Sequence, residues 1–233
     1  MEYLTFAGVN CLDYGVGISG GGTYGAPERV YESIEVPGRN GNLLIDQNRY
    51  ANAEVSYPAF IARNFNENVE GFRNWLLSNP GYQRLEDTYH PDEYRLACYS
   101  GMFVPETTPR NMGGRFTLAF NCKPQRWLKI GEELTEIASG SVLSNPTRYA
   151  ARPLLRIYGS GTVTLGTQVV TITAHMQAYM DVDSELLDCH CGTTNLNSYA
   201  TFSDDKFPVL EGDTAVSFSG VTKLEIAPRW WRL

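Results

Sequence analysis

Histidine and lysine are both scarce in this sequence, with three histidines and four lysines among 233 residues. The histidines (His90, His175 and His190) stand in no recognisable triad, so catalysis would lack an obvious general base. The sequence therefore predicts a protein that is not an enzyme. We expect no catalytic residue, no cofactor and no bound metal.

Long apolar runs and export signals are missing as well. No apolar stretch approaches the roughly 20 residues that a membrane-spanning helix needs. The first fifteen residues include Glu2 and Asp13 but no basic residue, so a secretory signal is not expected there. The five cysteines form an odd set without framework spacing, which favours reduced thiols and synthesis in a cytoplasm: Cys11, Cys98, Cys122, Cys189 and Cys191.

Positive charge is not concentrated in either half of the chain. The net charge is −7, with 12 basic and 16 acidic side chains in residues 1–135 and 7 and 10 in residues 136–233. Because nucleic-acid-binding domains carry a basic patch or stripe, sequence-specific binding to nucleic acid is not expected.

Glycine and tyrosine are plentiful, with 22 and 14 residues, a composition typical of strands and turns. Residues 28–36 and 42–46 predict two strands around a turn at 37–41, where Asn40-Gly41 tolerates the positive φ angles of a tight hairpin. Residues 53–61 alternate like a strand, and Pro58 within them predicts an edge strand or a bulge.

One helix is expected in the N-terminal half. Val69, Phe72 and Leu76 recur at helical spacing beside Trp75, with Asn66 as the expected N-cap. Strands resume at 94–104, and residues 114–123 have strict period-2 alternation, with Phe116, Leu118, Phe120 and Cys122 on one face. This part predicts antiparallel sheets with one helix.

A polar segment at 131–147 separates this part from a stretch of strands only. The predicted division is therefore an N-terminal domain at 1–135, a linker at 136–147 and a C-terminal domain at 148–233. Short alternating strands at regular spacing, with 215–219 and 222–227 expected as two separate strands around Gly220, favour a β-sandwich for the second domain.

Three short motif matches favour a structural interpretation over a functional one. Gly17-Ile18-Ser19-Gly20-Gly21 fits a nucleophile elbow but lacks the flanking strand and helix. Residues 20–25 fit a dinucleotide fingerprint but precede Ala26-Pro27 rather than a helix. Cys189-His190-Cys191 offers at most two converging metal ligands, because adjacent strand residues point to opposite faces.

Two further clusters leave alternatives open. Strand periodicity puts Asp181, Asp183 and Glu185 on one face, which could bind Ca²⁺ or serve as a hydrolase's paired carboxylates; a solvated strand end is favoured. Trp230 and Trp231 could stack on sugar rings, but packing against a neighbouring domain is favoured.

A family resemblance runs through nearly the whole chain, in a consistent domain order. The residues that carry it are Asp13-Tyr14-Gly15-Val16, Ala26-Pro27-Glu28-Arg29, the VPGRNG run at 36–41, Asp46 with Tyr50-Ala51-Asn52, Phe72-Arg73-x-Trp75-Leu76, Phe120-x-Cys122-Lys123-Pro124, Asp181 to Glu185, 207–212, and Pro228-Arg229-Trp230-Trp231. With these residues the sequence resembles the distal tail proteins (Dit) of siphophages and of prophages in Gram-positive hosts. Glu211-Gly212-Asp213 departs from the expected Pro-Gly-Asn, although both sequences suit a turn.

The resemblance implies a mainly β protein: a ring-forming belt domain of antiparallel sheets with one helix, then a galectin-like or carbohydrate-module-like β-sandwich. It further implies a virion protein at the tail tip, in a homohexameric hub with a channel for DNA and tape measure protein. Its implied partners are the tail tube protein, tail-tip or baseplate proteins, and receptor-binding proteins. A second domain of under 100 residues leaves no room for a large insertion.

The alternative from another class is a free-standing carbohydrate-binding module with an appended β-domain. Assembly discriminates the two, because a ring component oligomerises and a lectin need not. The residues themselves favour assembly, since alternating strands with one covering helix leave sheet edges that need partners.

Overall fold

The computed structural model describes residues 1–22 and 24–233. The chain divides into two compact units, one of Met1–Arg126 with Leu233 and the other of Trp127–Arg232. The division falls near the end of the strand Gly114–Leu128, whereas the sequence predicts a domain end at 135. Within the described residues, no helix is long and apolar enough to span a bilayer.

Among its described residues, the first unit contains ten strands and one α-helix. They are β1 (Leu4–Phe6), β2 (Val9–Asn10), β3 (Val16–Ile18), β4 (Arg29–Ile34), β5 (Leu43–Tyr50), β6 (Ala53–Ile61), α1 (Phe65–Leu77), β7 (Gln83–Asp87), β8 (Glu93–Tyr99), β9 (Glu106–Thr107) and β10 (Gly114–Leu128). The main sheet has the order β2-β1-β7-β8-β10-β6-β3, with β9 also paired to β10, while β4 and β5 form a separate two-stranded sheet.

Alternation along β10 builds the core of this unit. Phe116, Leu118, Phe120 and Cys122 are buried, as the period-2 pattern predicts. They join an apolar cluster that includes Phe6 and other side chains of β1 and β6. Each such side chain stabilises the fold by about 1.5–3 kcal/mol when it leaves water.

Helix α1 covers this core with one face. Phe72, Trp75 and Leu76 are buried, which confirms the predicted helix. The helix begins at Phe65, ahead of the predicted N-cap Asn66, and Asn64 precedes it in the left-handed conformation (φ 53°). The earlier start follows from Phe65, whose buried ring extends the apolar face by one residue.

Pro58 lies one strand in from the sheet edge and pairs regularly with Thr117, without a bulge. Its carbonyl accepts from the Ser19 N–H at 2.8 Å, beyond the last β3 pair, Ile18 with Ala59. The N and O of one strand residue point to the same side. The nitrogen of Pro58, which carries no hydrogen, therefore faces the β3 side of β6, beyond the last paired residue of β3. No hydrogen bond to β10 is lost.

The second unit contains ten strands. They are β11 (Thr135–Glu136), β12 (Val142–Ser144), β13 (Leu154–Leu165), β14 (Gln168–Ile172), β15 (Met180–Asp183), β16 (Asp188–Cys191), β17 (Thr194–Asn195), β18 (Ala200–Phe202), β19 (Asp213–Ala227) and β20 (Trp231–Arg232). The sheet order is β11-β19-β13-β15-β16-β17, with β12 on β19, and β14 joining β13 to β18. The mainly β fold class is confirmed.

The segment predicted to be a linker, 136–147, is part of this sheet. β11 pairs with residues 225–226 of β19, and β12 pairs with residues 213–215. This is possible because residues 215–219 and 222–227, expected as two strands, form one long strand that offers an edge to both. The polar composition that suggested a linker reflects the exposure of these edge strands.

Candidate functional site

The three clustered carboxylates of the second unit are bound to arginines. Asp181 accepts from Arg156 at 2.7 and 2.8 Å, and Asp183 accepts from Arg229 at 2.7 and 2.9 Å. Asp181 and Asp183 are each only 4% exposed, so the favoured solvated strand end is wrong for them. Glu185 Oε2 lies 3.7 Å from Arg152 Nη1, in a longer and more exposed ion pair.

The arginine pairs of Asp181 and Asp183 occupy the carboxylate oxygens that a metal or a hydrolytic site would need there. Burial alone would raise the pKa of Asp183. The hydrogen bonds from Arg229 and from the Leu186 and Glu185 N–H groups outweigh it and hold this pKa below its ordinary value. Among residues 1–22 and 24–233, no group of three His, Cys, Asp or Glu side chains is placed to hold a metal ion.

The structure does not assemble the other motif matches into functional sites. Cys189 is buried in the core, and this burial raises the pKa of its thiol to about 12. Gly17 lies in β3, and Ser19 bonds to Pro58 rather than opening a helix, so no nucleophile elbow forms. The dinucleotide-like pattern includes Thr23, which lies outside the described residues.

The two C-terminal tryptophans pack within their own unit. Trp230 is 5% exposed and belongs to the second apolar core. Trp231 stacks on Tyr149 with ring centroids 4.6 Å apart, and its Nε1–H donates to the Ala150 carbonyl at 3.0 Å. The packing interpretation thus holds over sugar stacking, but the rings' partners lie in the second unit itself rather than in a neighbouring domain.

An exposed apolar surface lies in the first unit, on the hairpin of β4 and β5. Residues 31–34 and 43–49 are all exposed. Five large apolar side chains are 39–61% exposed: Tyr31, Ile34, Leu43, Leu44 and Ile45. Because an isolated two-stranded ribbon is at best marginally stable in water, this hairpin needs a partner surface.

The strand register sorts these side chains onto two faces. Ile34 lies opposite Leu43 and Glu32 opposite Ile45, so one face carries three aliphatic side chains and a carboxylate. Tyr31 lies opposite Asp46 and Ser33 opposite Leu44 on the other face. The hairpin itself is confirmed. The consecutive Leu43-Leu44-Ile45 was the sequence signal that both of its faces are apolar.

Polar contacts shape the two ends of the hairpin. At the base, Arg29 Nε donates to Asp46 at 2.9 Å, and the Arg29 guanidinium lies over the Tyr50 ring. The bond from Arg29, with a second from the Asn48 N–H, lowers the pKa of Asp46. Near the turn, Asn42 donates to Ser33 Oγ at 2.8 Å.

The same unit carries a groove of about 850 Å³ on the outer face of β6 and β10. Pro58 and Phe60 line it opposite Thr117 and Arg115, and exposed Val104 and Met112 stand beside them. Two charged side chains of opposite sign line the groove as well, since Arg115 lies opposite Glu106 in the pairing of β9 with β10. The first unit therefore presents an uncovered apolar ribbon and an open apolar groove.

Comparison with solved structures finds a similar fold in a phage protein. The chain aligns with the SPP1 phage Dit protein (gp 19.1), described as a paradigm of the hub adsorption apparatus in phages that infect Gram-positive hosts. The alignment covers 100% of both chains with a TM-score of 0.78 and 11% identity. The chain has the distal tail protein fold.

The Dit fold also recurs in phage p2 baseplate structures, solved in the activated conformation with Ca and with Sr. These match with TM-scores of 0.55 and 0.56 at 12% identity, over 97% of each chain. No protein-family model and no curated protein sequence matches this chain. The resemblance read from the sequence motifs is thus confirmed at the level of the fold.

Proposed function

We propose that this protein is a structural component of a siphophage or prophage tail tip. In this role six copies form a hub that connects the tail tube to tip, baseplate and receptor-binding proteins. The observation that carries the proposal is the end-to-end match to the SPP1 Dit protein, which covers both units in order.

The geometry of the chain supports a structural role over a catalytic one. Asp181 and Asp183 are held in arginine pairs, and the β4–β5 hairpin exposes five large apolar side chains suited to protein contacts. The alternative of a free-standing carbohydrate-binding module is weakened, because the Trp230 and Trp231 rings proposed for sugar stacking are engaged inside the second unit.

The mass of the particle in solution tests this proposal. Six chains of 26.0 kDa make a 156 kDa ring. Light scattering on the full chain, alone and with the tail tube protein of the same phage, is expected to find this species. A particle that stays monomeric even with the tube protein contradicts the hub, and a stable dimer or trimer contradicts its symmetry.

A channel that passes DNA also requires a lining that does not bind the DNA. Residues 1–135 carry 12 basic and 16 acidic side chains, and a lining without basic patches would not retain phosphate. We expect no measurable duplex DNA binding at physiological salt. Micromolar binding that falls steeply with added salt would argue against this channel.

A further inference from the structure

The sequence contains one Asn-Gly pair, Asn40-Gly41, and the fold places it at the free end of the β4–β5 hairpin. The last strand pair of the hairpin joins Ile34 to Leu43, so the Asn-Gly pair lies in the loop of residues 35–42 beyond it. Every residue of this loop is exposed. The Asn40 carboxamide and the backbone nitrogen that follows it are therefore both open to water.

Neither group is held by a contact within the described part of the chain. The Asn40 side chain and the Gly41 N–H have no recorded hydrogen bond there. Gly41 has a φ of +80°, and beyond its chain neighbours no atom lies within 4 Å of the position that a Cβ would take. The nearest turn bond, from the Arg39 N–H to the Val36 carbonyl at 3.1 Å, ends before the pair. The pair can thus change its backbone angles without breaking a recorded contact.

This freedom permits a reaction between the two residues. The Gly41 amide nitrogen, after its proton passes to water, attacks the side-chain carbonyl carbon Cγ of Asn40, and no side chain on glycine hinders the approach. A bond forms between that nitrogen and Cγ, the bond from Cγ to Nδ2 breaks, and the side-chain nitrogen takes up a proton and leaves as ammonia. Water then opens the resulting succinimide ring at either of its two carbonyl groups. The product is an aspartate or an isoaspartate at position 40.

We propose that Asn40 is a site of spontaneous deamidation through attack by the Gly41 nitrogen. Either product adds one negative charge to a chain whose net charge is −7. The isoaspartate also adds a methylene group to the backbone at the end of the hairpin. Because position 40 lies outside both apolar cores, the melting temperature is expected to stay unchanged. The reaction needs only this chain and water, so the inference is independent of the proposed hub.

Two other asparagines provide comparisons in the same molecule. Asn197 also precedes a small residue, but its Oδ1 accepts from the Cys189 N–H at 2.6 Å and its Nδ2 donates to Asp188 at 2.8 Å. Since both bonds must break before its Cγ can be attacked, Asn197 is expected to react at least about tenfold more slowly than Asn40. Asn42 donates to a serine hydroxyl of β4 at 2.8 Å and precedes a bulky leucine, so it should also react more slowly.

Peptide mapping by mass spectrometry tests the proposal on the full-length protein. The protein is incubated for days in heavy-oxygen water at mildly alkaline pH, which favours loss of the amide proton, and is then digested in ordinary water. Heavy oxygen enters only where a ring opened during the incubation, so reaction during digestion is not counted. Label is expected at position 40 at least about tenfold faster than at position 197, in two chromatographically separate isomers.

The matched control variant is Asn40→Gln. It keeps an exposed carboxamide at the same place, but its ring would be one atom larger and would form more slowly. Ion-exchange chromatography of the intact chains should therefore show the acidic product accumulating in the wild type and not in this variant. Equal accumulation in both would show that the charge change arises elsewhere, against the proposal.

The remaining outcomes are equally distinct. Label at position 40 that appears no faster than at positions 42 and 197 contradicts the proposal. Labelled aspartate without isoaspartate would show direct hydrolysis by water, so attack by the Gly41 nitrogen would be wrong. Labelling of all three positions together with a lowered melting temperature would show that the reaction follows unfolding rather than the native loop geometry.

Discussion

Arg229 donates from both terminal guanidinium nitrogens to the two carboxylate oxygens of Asp183, at 2.7 and 2.9 Å, across 46 positions of sequence. Arg229 holds a positive φ of 56°, which follows the end of β19 at Ala227 and directs the chain into the Trp230 packing site. The pair therefore anchors the last residues of the second unit to the β15 strand end.

Removing the arginine tests this anchor. Arg229→Ala leaves a nearly buried carboxylate without its partner, so the free energy of unfolding is expected to fall by about 2–4 kcal/mol, since Arg229 is itself partly exposed. Urea unfolding of the full chain measures it. Arg148→Ala, at an exposed position, should change stability by less than about 0.5 kcal/mol. A loss that small for Arg229→Ala would contradict the anchoring role.

The same pair predicts a pH dependence. Because the folded-state pKa of Asp183 lies below its ordinary value of 3.8, the ionised carboxylate stabilises the fold above that value. This stabilisation is lost as the pH falls through the lower, folded-state pKa. The stability difference between wild type and Asp183→Asn should therefore be full at neutral pH and shrink once the pH drops below about 4.

Urea titrations at several pH values measure that difference. Asp205→Asn supplies the control, because this aspartate is exposed and has no recorded ion pair in the described part of the chain. A wild-type advantage over Asp183→Asn that stays constant down to about pH 2 would show that Asp183 does not carry the linkage.

Local sequence signals predicted individual strands and turns better than they predicted the contacts that these elements make. Asn40-Gly41 correctly placed the hairpin, because a turn is specified by a few neighbouring residues. Whether the main sheet covers a face of the hairpin depends on where distant strands lie, and the local sequence does not specify this. The partners of Asp181 and Asp183, namely Arg156 and Arg229, lie 25 and 46 positions away, and spacing along the chain does not encode such pairs.

Strand continuity was missed for a similar reason. Gly220 suggested a break between two strands, yet β19 continues through it. The irregular pairing near Gly159 and Gly161 of β13 accommodates this point, since a Cβ at Gly161 would lie 2.2 Å from the Ser219 carbonyl oxygen. A glycine that permits close approach of two backbones resembles, in the sequence, a glycine that ends a strand.

Another close approach predicts a packing-sensitive position at Gly114. A Cβ there would lie 2.4 Å from the Phe65 ring, so Gly114→Ala forces the ring or the first turn of α1 to shift. We expect a loss of about 1–3 kcal/mol in unfolding free energy. Gly25→Ala, with no atom within 4 Å of the added methyl, is the matched control. Equal stability of the two variants would contradict the close packing of α1 on β10.

The C-terminal tryptophans give the last prediction. Trp230 is buried beside Gly131, where an added Cβ would lie 2.7 Å from the indole, and Trp231 stacks on Tyr149. Trp230→Ala is expected to cost about 3–5 kcal/mol. Trp231→Ala should cost less, because that ring is only partly buried. Deleting residues 229–233 should destabilise the chain further, since the Arg229–Asp183 pair is lost too. Thermal melts of the three variants, paired with glycan arrays on the intact protein and on each variant, decide between packing and sugar binding. Unchanged melting temperatures together with lost glycan binding would overturn the packing role and restore the lectin alternative.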